Sequence, residues 1–517
     1  ARIVGNLITT IDTDTPERAM KLNAAFRWYC AFPQILFRTM RNNARDIGAV
    51  KKRLLSFING EYGSLLNYWQ YDINKTCSKL KKITPDSIGR RVKTGTKLIN
   101  EGFINKGLRI IEGNGMSNTD DPCIIEQMLK KHPKLIAPMS NLPYRIDSSD
   151  EITISPHLML TVLKKNNPKA GVSTRGLLSD YLLKLAIGKF SDAEGASAFQ
   201  LCIDLGNRYL NGRLPSCISR ILACGLLTCL NKEAPVDDRT PDGRPIKAED
   251  ADTGSFCKVA ARILSADVRK VATPEQLAIA VPNGIHLYAL GFNLLYEAYA
   301  DNNVDRIFAK IDIKNAHNAF DRKQAMSTML QAETTNPGLR LGELARAFFS
   351  TTNTNPEIFM RTNRSSNGFN HLCDSESGGG QGNALTGLVF AMAINPALKA
   401  TSQQFPDACV KAIHDDITID ASPDEIFGEN GILAFIIEQL EAAGCKPNPN
   451  KTKILATTQA ARDLVPEQFE QPSILTDSEV RYYGLDIVGT PIGEKAYVQR
   501  WLDNKSAEMC DSIHYYY

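Results

Sequence analysis

Two adjacent aspartates between short runs of strand-forming residues are the feature that most constrains this chain. The segment Lys411–Asp420 reads KAIHDDITID, in which apolar and β-branched residues flank His414, Asp415 and Asp416. This order predicts a strand, a tight turn and a second strand, and therefore an antiparallel hairpin. Neighbouring carboxylates in such a turn repel each other. This repulsion raises the pKa of one of the two carboxyl groups unless a nearby cation balances their charge. An ordinary aspartate-rich turn has the same pattern, so a catalytic reading needs a partner elsewhere in the chain.

The partner that the sequence offers is Asp312. It stands near the end of Arg306–Ile313, in which the alternation of Ile307, Ala309 and Ile311 predicts a strand. If this strand lies beside the hairpin, three carboxylates converge on one edge of a sheet. Such a cluster suits two Mg²⁺ ions about 4 Å apart, which activate an attacking hydroxyl and stabilise a leaving pyrophosphate. Hard oxygen ligands favour Mg²⁺ or Mn²⁺ over zinc.

A glycine-rich stretch, Ser375–Leu388 (SESGGGQGNALTGL), lies between the two aspartate segments. Its glycines predict that the backbone approaches another group closely, such as a nucleotide or a template. Gln381 and Asn383 can donate and accept hydrogen bonds there. The stretch lacks the Gly-Lys-Ser/Thr of a P-loop, and a flexible loop is the alternative interpretation.

The net charge of +3 hides an uneven distribution. Residues 1–200 carry 30 Lys and Arg against 18 Asp and Glu, whereas residues 201–517 carry 30 against 39. Cations that neutralise phosphates, together with rings that stack on bases, indicate nucleic-acid binding. A solvated helical surface whose rings face a core explains the same composition equally well. The basic side chains are densest between Arg41 and Lys97 and include Lys51, Lys52, Arg53, Lys79, Lys81, Lys82, Arg90, Arg91 and Lys93, interleaved with Phe57, Tyr62, Tyr68, Trp69 and Tyr71.

The order of predicted elements indicates an α+β fold. The first 135 residues have apolar residues mainly at helical spacing, and Pro138–Ser155 has the composition of a boundary. After about residue 200, helices such as Thr273–Ala300 alternate with short strands, which favours an antiparallel sheet backed by helices over a regular βαβα series. The predicted strands are Arg306–Ile313, Cys409–Ile413, Ile417–Ile419, Val480–Tyr483 and Leu485–Val488.

Composition excludes several classes of protein. With 43% apolar and 23% charged residues, the chain is not disordered throughout. The most apolar runs, Cys217–Leu230 and Ala384–Leu398, are too short to span a bilayer, so no membrane partner is expected. The 12 cysteines are scattered without a Cys-x-x-Cys pair, which favours a reduced intracellular chain without structural zinc. No secretory signal is visible, and the two ends are typical of a segment cut from a longer protein.

Taken in order, these segments resemble reverse transcriptases, most closely those of non-LTR retrotransposons. The resemblance spans residues 200–490, with a fainter match upstream. The first catalytic motif of that family resembles Asp312 with Ala316, and its Gln-Gly-Asp loop resembles Gln381–Asn383. The paired aspartates of the family match Asp415 and Asp416.

Three more segments carry the same resemblance. LNK and GRPIK are similar to the fingers motifs that place a lysine and an arginine on the incoming triphosphate. GCKPNPNKTKI is similar to the family's Gly-Leu-x-Leu-Asn-x-x-Lys-Thr motif, and VRYYGLDIVG to its primer-grip strand. The matching residues are Lys232 and Arg244, then Gly444, Asn448, Lys451 and Thr452, then Tyr483 and Gly484.

The resemblance implies a right-hand polymerase, with fingers and a palm whose antiparallel sheet carries the aspartates. Asp312, Asp415 and Asp416 would be catalytic and would bind two Mg²⁺ ions, or Mn²⁺. Lys451 would steady or protonate the departing pyrophosphate, although a surface lysine is the simpler reading of that residue. Tyr483 and Gly484 would form the primer grip. The nucleotide-binding residues would be Lys232, Arg244, Ile313, Ala316, His317, Gln381 and Gly382.

The implied organisation is a basic helical RNA-binding region (1–150), an N-terminal extension with fingers (151–305), a palm (306–490) and the start of a thumb (491–517). The implied activity is RNA-templated DNA polymerisation in the nucleus, with an RNA template, a DNA primer or target, and dNTPs. His317 departs from the family, which has Phe or Tyr over the 2′ carbon of the sugar; His414 and Ala384 depart as well. Two alternative functions remain. One is an RNA-dependent RNA polymerase, and the other is a catalytically inert RNA-binding protein derived from a reverse transcriptase.

Overall fold

The structure is a computed structural model of the 517-residue chain. Two predicted features lie outside the described residues: the lysines at 79, 81 and 82 of the basic stretch, and most of the boundary Pro138–Ser155. The structure describes residues 44–77, 88–100, 113–134, 151–166, 173–187, 193–232, 242–361, 369–448, 451–476 and 479–514, with single positions between 20 and 35 and between 107 and 111.

Helices dominate the first part of the chain and recur between the strands. They are α1 (Ala44–Ile58), α2 (Tyr62–Cys77), α3 (Ile88–Asn100), α4 (Pro122–Lys130), α5 (Pro156–Lys165), α6 (Ser179–Ile187), α7 (Ala193–Leu210), α8 (Ser216–Ala223), α9 (Ala251–Ala272), α10 (Gly284–Asp301), α11 (Ala316–Ala319), α12 (Arg322–Thr335), α13 (Leu341–Thr352), α14 (Ala384–Gln404), α15 (Pro423–Phe427), α16 (Ile432–Ala442), α17 (Gln459–Asp463) and α18 (Lys495–His514).

The strands are short, and in the described residues they begin at Gly225. The predicted strand Cys409–Ile413 is confirmed, whereas the two strands predicted within residues 480–488 form one continuous strand. They are β1 (Gly225–Asn231), β2 (Gly243–Ala248), β3 (Ile307–Ile311), β4 (Ile313–Lys314), β5 (Glu357–Arg361), β6 (Phe369–Asp374), β7 (Cys409–Ile413), β8 (Asp416–Ala421), β9 (Lys446–Pro447), β10 (Lys453–Ala456), β11 (Ser473–Leu475), β12 (Arg481–Ile487) and β13 (Thr490–Gly493).

The chain divides into two compact units, each built from two separate stretches. The first unit joins residues 1–262 to 343–386, and the second joins 263–342 to 387–517. The sequence-based division has four consecutive segments, with boundaries at 150, 305 and 490. It does not anticipate units that are each built from two separate stretches of the chain. The functional roles predicted for those four segments stay predictions.

The first unit contains a mixed sheet with the strand order β2-β1-β5-β6. Strand β1 runs antiparallel to β2 and parallel to β5. Helix α4 covers this sheet, with Ile124 and Met128 packed against Leu227, Cys229 and Ile358. Its apolar side chains at i and i+4 share a helix face, which explains why this short helix docks on the sheet.

The second unit contains an antiparallel sheet with the order β10-β3-β8-β7. The buried side of this sheet packs against α10, where Phe308 lies edge-on to Phe292 with ring centroids 6.1 Å apart. Phe308 is fully buried, so its truncation to alanine would cost about 3–5 kcal/mol. A second, three-stranded sheet of this unit has the order β11-β12-β13.

Helix α14 corrects one expectation about length. The sequence suggested that its apolar run, Ala384–Leu398, is too short to cross a bilayer, but the helix continues to Gln404 and has 21 residues. Among the described residues it is the one helix long and apolar enough to span a membrane by length and composition. Of the most apolar 18-residue stretch of α14, 72% is buried inside the protein. The surface of this stretch is therefore covered, as in the core helix of a globular protein.

Candidate active site

The aspartate hairpin has the predicted strand–turn–strand form. Ile413 pairs with Asp416, so His414 and Asp415 alone connect β7 to β8. His414 has a φ of +53°, the left-handed conformation that two-residue hairpin turns require. Asp415 therefore lies in the turn, and Asp416 is the first residue of β8.

The sheet brings Asp312 to this hairpin. The pairing of β3 with β8 ends at Ile311 and Ile417, and Asp312 and Asp416 are the next residues on the two sides of this pairing. Residues that face each other across an antiparallel pair share a side of the sheet and have Cβ atoms about 4.5–5.5 Å apart. Asp312 is exposed, and Asp416 is half-buried. The backbone thus gathers the acidic positions at one end of β3 and β8.

The side chains themselves do not form a compact ligand cluster. Across the described part of the chain, no three His, Cys, Asp or Glu side chains lie close enough together to hold a metal ion. Carboxylate oxygens at the ends of two strands have the chemistry that Mg²⁺ and Mn²⁺ prefer. The chemistry of the donors therefore fits these ions, but in the structure Asp312, Asp415 and Asp416 are not gathered closely enough to hold one together.

Lys310 is a charged neighbour that sequence reasoning missed. Its Nζ lies 3.3 Å from Oδ1 of Asp416 and donates a 3.0 Å hydrogen bond to the carbonyl oxygen of Asp486 on β12. It stands on β3 two residues before Asp312, which directly follows the strand, and alternation along an extended chain places the two side chains on the same side. That spacing was visible in the sequence. In this arrangement the ammonium group of Lys310 balances the charge of Asp416.

Gln276 holds the hairpin turn through its backbone. Its Oε1 accepts a 2.9 Å hydrogen bond from the His414 N–H, and its Nε2 donates to the His414 carbonyl oxygen at 3.2 Å. The side chain is fully buried. The sequence predicted a helix over Thr273–Ala300, but α10 begins only at Gly284. Pro274 and Pro282 lack an N–H and disfavour a helix here, and the resulting irregular segment runs beside β7.

Replacing Gln276 with Met should destabilise the protein by roughly 2–4 kcal/mol. Methionine has a similar volume but cannot pair with the N–H and C=O of His414, and an unpaired buried group costs about 1–3 kcal/mol. Equilibrium urea unfolding measures the change. Gln499→Met, on the exposed face of α18, is the matched control and should change stability by less than about 0.5 kcal/mol. Equal unfolding midpoints for the two variants would contradict this role of Gln276.

Tyr288 of α10 fixes the beginning of β8. Its hydroxyl donates to the carbonyl oxygen of Asp416 at 3.1 Å and lies 2.7 Å from the hydroxyl of Thr418. Burial raises the pKa of Tyr288, so the phenol stays protonated and its O–H can donate a hydrogen bond. The position of Asp416 is therefore set by the core.

Two histidines lie beside Asp415. His317 of α11 stacks on Phe390 with centroids 5.2 Å apart, and its ring centroid is 5.9 Å from that of His414. Burial lowers the pKa of both imidazoles. A β-carbon at Gly387 would lie 3.2 Å from Cε1 of His414, so the glycine makes room for this ring.

Asn448, within the segment GCKPNPNKTKI, lies directly beside Asp312. The Asn448 N–H donates to the carbonyl oxygen of Asp312 at 2.8 Å, and β4 pairs with β9. Gly444 has a φ of +75°, and a β-carbon there would lie 2.7 Å from the backbone nitrogen of Asp321. Lys451 is exposed, and Thr452 is buried. The role of Lys451 in catalysis stays a prediction.

Two predicted nucleotide-binding residues of the second unit, Ile313 and Ala316, have buried side chains. Each is 4% exposed. Their side chains pack in the interior, so only backbone atoms at these positions are available to a ligand.

The predicted primer grip lies on β12 and makes specific contacts within the second unit. The guanidinium of Arg462 lies 3.8 Å from the ring centroid of Tyr483, whose N–H donates to Glu494 at 2.8 Å. A β-carbon at Gly484 would come within 2.0 Å of the Tyr497 ring. Packing alone therefore explains the glycine, and contact with a primer stays a prediction.

Lys232 and Arg244 belong to the first unit, on the hairpin of β1 and β2. Arg244 pairs with Leu230, and Lys232 follows Leu230 by two residues, so both cations extend from the same face. Lys232 Nζ lies 2.7 Å from Asp242, which also accepts from Lys131. Burial works to raise the pKa of Asp242, but these two lysines outweigh it and lower the pKa. The face remains cationic.

The glycine-rich stretch approaches Lys247 of β2. The Lys247 N–H donates to the carbonyl oxygen of Gln381 at 2.8 Å, and a β-carbon at Gly382 would lie 2.5 Å from the carbonyl oxygen of Lys247. Asn383 donates to Glu249 at 2.8 Å. The close backbone approach predicted from the glycines is present, and the group approached is a neighbouring strand. Contact with a nucleotide through Gln381 and Gly382 stays a prediction.

Gly382→Ala should destabilise the protein by about 1–3 kcal/mol, because its φ of +122° is strained for any residue with a β-carbon. Gly291→Ala is the control: this glycine lies within α10 with open space around it, and alanine should stabilise the helix by roughly 0.5–1 kcal/mol. Thermal unfolding compares the two variants. Changes of the same sign and size would contradict the contact with Lys247.

The described part of the basic N-terminal region shows both surface and core roles. Lys51 and Lys52 are exposed, whereas Arg53 is buried and donates to the carbonyl oxygen of Ile35 at 2.7 Å. Phe57 and Tyr62 pack on Trp28, with ring centroids 5.9 and 4.9 Å from it. Tyr71 is 62% exposed. Some of the interleaved rings thus pack on one another while remaining partly exposed, and Lys51 and Lys52 are exposed beside them.

Comparison with known proteins identifies a relative among the retrotransposable elements. Over 222 residues, or 43% of this chain, the sequence is 28% identical to the Retrotransposable element SLACS 132 kDa protein of Trypanosoma brucei gambiense. The matched stretch spans 17% of the length of that protein. No protein-family model matches the chain. The chain is therefore similar to part of a retrotransposon protein.

Proposed function

We propose that this chain is an RNA-templated DNA polymerase of a retroelement, with the right-hand architecture of fingers and palm. The observation that carries the proposal is the register of β3 and β8, which ends at Ile311 and Ile417 and leaves Asp312 and Asp416 as the next residues, beside the Asp415 turn. The relative supports a retroelement source, since its name identifies a retrotransposable element. The partners would be an RNA template, a DNA primer or target, and dNTPs, and the site of action would be the nucleus.

Asp312, Asp415 and Asp416 would hold two Mg²⁺ ions, which when bound activate the primer 3′-hydroxyl and neutralise charge on the transferring phosphate. Lys310 would release Asp416 for this role while remaining bonded to Asp486. Gln276 and Tyr288 would keep the turn and the first residue of β8 in place. Their hydrogen bonds use backbone atoms of His414 and Asp416, which leaves the carboxylates available.

The cationic residues would bind the nucleotide's phosphates. Lys232 and Arg244 share one face of their hairpin, and an arginine can make paired hydrogen bonds to phosphate oxygens. Lys451, exposed next to Asn448, would steady or protonate the departing pyrophosphate. Ile313, Ala316, Gln381 and Gly382 would contribute backbone or amide contacts to the nucleotide, and Tyr483 and Gly484 would contact the primer.

Extension of a primed RNA template by the purified chain tests this proposal. We expect extension with dNTPs in Mg²⁺ and none when EDTA replaces the metal. The imidazole of His317 is smaller than the Phe or Tyr of the family and favours a second candidate, an RNA-dependent RNA polymerase. Extension with NTPs alone would establish that candidate. Absence of extension with either pool, from protein that binds RNA, would indicate an inert descendant.

A further inference from the structure

The glycine-rich loop is held against β2 by three consecutive residues. The carbonyl oxygen of Gln381 accepts the Lys247 N–H at 2.8 Å, and a β-carbon at Gly382 would lie 2.5 Å from the carbonyl oxygen of Lys247. The third residue, Asn383, donates from its side-chain amide to Oε1 of Glu249 at 2.8 Å. All of these residues belong to the first unit. The two predicted nucleotide-binding residues of this loop therefore stand directly before a side-chain anchor.

Both ends of the Asn383 amide are used. Its Oδ1 accepts a 2.7 Å hydrogen bond from the Leu385 N–H at the beginning of α14, and its Nδ2 donates to Glu249 and to Sγ of Cys257, the latter at 3.5 Å. The helix N-terminus needs an acceptor and the Glu249 carboxylate needs a donor, and an amide supplies both. Aspartate would cap the helix equally well, but it would bring a second negative charge beside Glu249.

The carboxylate of Glu249 is itself fixed by a buried cation. Its side chain is 8% exposed, and the ammonium group of Lys247 lies 3.7 Å from its Oε1. That ammonium also donates to the carbonyl oxygen of Ala223, the last residue of α8, at 2.8 Å. A hydrogen bond to a charged group is stronger than one between neutral groups, so the carboxylate is a firm acceptor for the Asn383 amide.

The composition of the loop makes this anchor important. Four of the five residues at 378–382 are glycines, which have the widest backbone freedom and no side chain that could hold the loop. We propose that Glu249 is a positioning residue: through Asn383 it holds Gln381 and Gly382 where they meet the incoming deoxynucleoside triphosphate. This role rests on the proposed polymerase function and adds a residue to it. The contact between Glu249 and Asn383 then sets the affinity for the nucleotide and not that for the primer–template.

Asn383→Asp breaks this contact without removing the helix cap, because the new carboxylate repels Glu249 but still accepts the Leu385 N–H. Combining it with Glu249→Gln exchanges donor and acceptor at unchanged total charge, since glutamine can donate to the new carboxylate. Asn353→Asp, at an exposed position of the same unit, is the matched control. Steady-state extension of a primed RNA template by the full chain gives kcat and the KM of each substrate, and thermal unfolding shows whether each variant is folded.

We expect Asn383→Asp to raise the KM for dNTPs about tenfold and to leave the KM for the primer–template within about twofold of the wild type, as for the loss of one hydrogen bond to a charged group. The double variant should restore the KM for dNTPs, and Asn353→Asp should leave it unchanged. An unchanged KM for dNTPs in Asn383→Asp would overturn the proposal. Equal losses for both substrates that the double variant does not restore would overturn it as well, because they would show a purely structural contact.

Failure of the polymerase function itself would be visible separately, as absence of extension by the wild type. In that case the dissociation constant of fluorescently labelled dATP, measured by titration in Mg²⁺, replaces the KM. Weaker binding to Asn383→Asp than to Asn353→Asp, restored in the double variant, would support the positioning role of Glu249 on its own. Equal binding to these variants, or no binding to the wild type, would overturn it.

Discussion

Asp415→Asn should lower the rate of primer extension by roughly 10³-fold while leaving the free energy of unfolding within about 1 kcal/mol of the wild type. A carboxylate that holds a catalytic metal contributes several kcal/mol to transition-state stabilisation, and each 1.4 kcal/mol is about a factor of ten in rate. Asp415 lies in the two-residue turn between β7 and β8, outside the strand ladder, so asparagine fits its position. Primer extension and urea unfolding on the same preparation measure the two effects.

Two other aspartates of the same unit provide the controls for this result. Asp407→Asn changes an exposed side chain just before β7 and should leave both activity and stability unchanged. The Asp420 carboxylate is buried and accepts two hydrogen bonds from Arg306, at 2.9 and 3.0 Å, so Asp420→Asn should lower stability instead. If Asp407→Asn lowers the rate as much as Asp415→Asn, the turn carboxylate has no special role.

Arg175→Met should destabilise the first unit by about 3–5 kcal/mol, the cost of leaving buried charges without their partner. Arg175 Nη1 and Nη2 donate to the two oxygens of Asp252 at 2.9 and 2.6 Å, and Nε lies 3.2 Å from Asp250. All three side chains are at most 4% exposed. Tyr29 also donates to Asp252, at 2.8 Å, which connects this pair to the N-terminal region.

The dependence of this effect on pH has a defined sign. Burial raises the pKa of Asp250, whereas for Asp252 the guanidinium of Arg175 outweighs burial and lowers the pKa. The stabilisation from Asp252 is therefore present above its unfolded pKa and is lost as the pH falls through its lower folded pKa. The difference in the free energy of unfolding between the wild type and Arg175→Met should therefore become smaller as the pH is lowered.

Urea unfolding of three variants tests the role of Arg175. Arg500→Met, on the exposed side of α18, should be nearly neutral. Arg175→Met combined with Asp252→Leu should recover part of the loss, because it removes the carboxylate as well as its partner. A double variant less stable than Arg175→Met alone would show that the cost comes from packing and not from the unpaired charge.

Local sequence patterns were sufficient for the elements that carry the aspartates. The alternation in Arg306–Ile313 and the runs on either side of Asp415 predicted strands that the structure contains. These signals are local, because side-chain alternation along a strand reflects its two faces directly. The charge of Lys310 beside Asp416 follows from the same alternation and could have been predicted with it.

Contacts between distant segments could not be predicted in this way. Gln276 bonds to a turn 138 residues away, and no local pattern links an irregular proline-flanked segment to that turn. The glycines at 380 and 382 indicated a close approach but not its partner, Lys247. The interleaved units depend equally on long-range packing. Such pairings are decided by the whole core, which a single sequence does not reveal.

The most direct test of the central claim is anomalous diffraction from crystals of the chain soaked with Mn²⁺ and a non-hydrolysable dNTP. We expect two peaks about 4 Å apart, bounded by the carboxylates of Asp312, Asp415 and Asp416, with Asp416 turned away from Lys310. Peaks at other positions, or none beside the hairpin while Asp416 remains on Lys310, would contradict a shared metal site of these three aspartates.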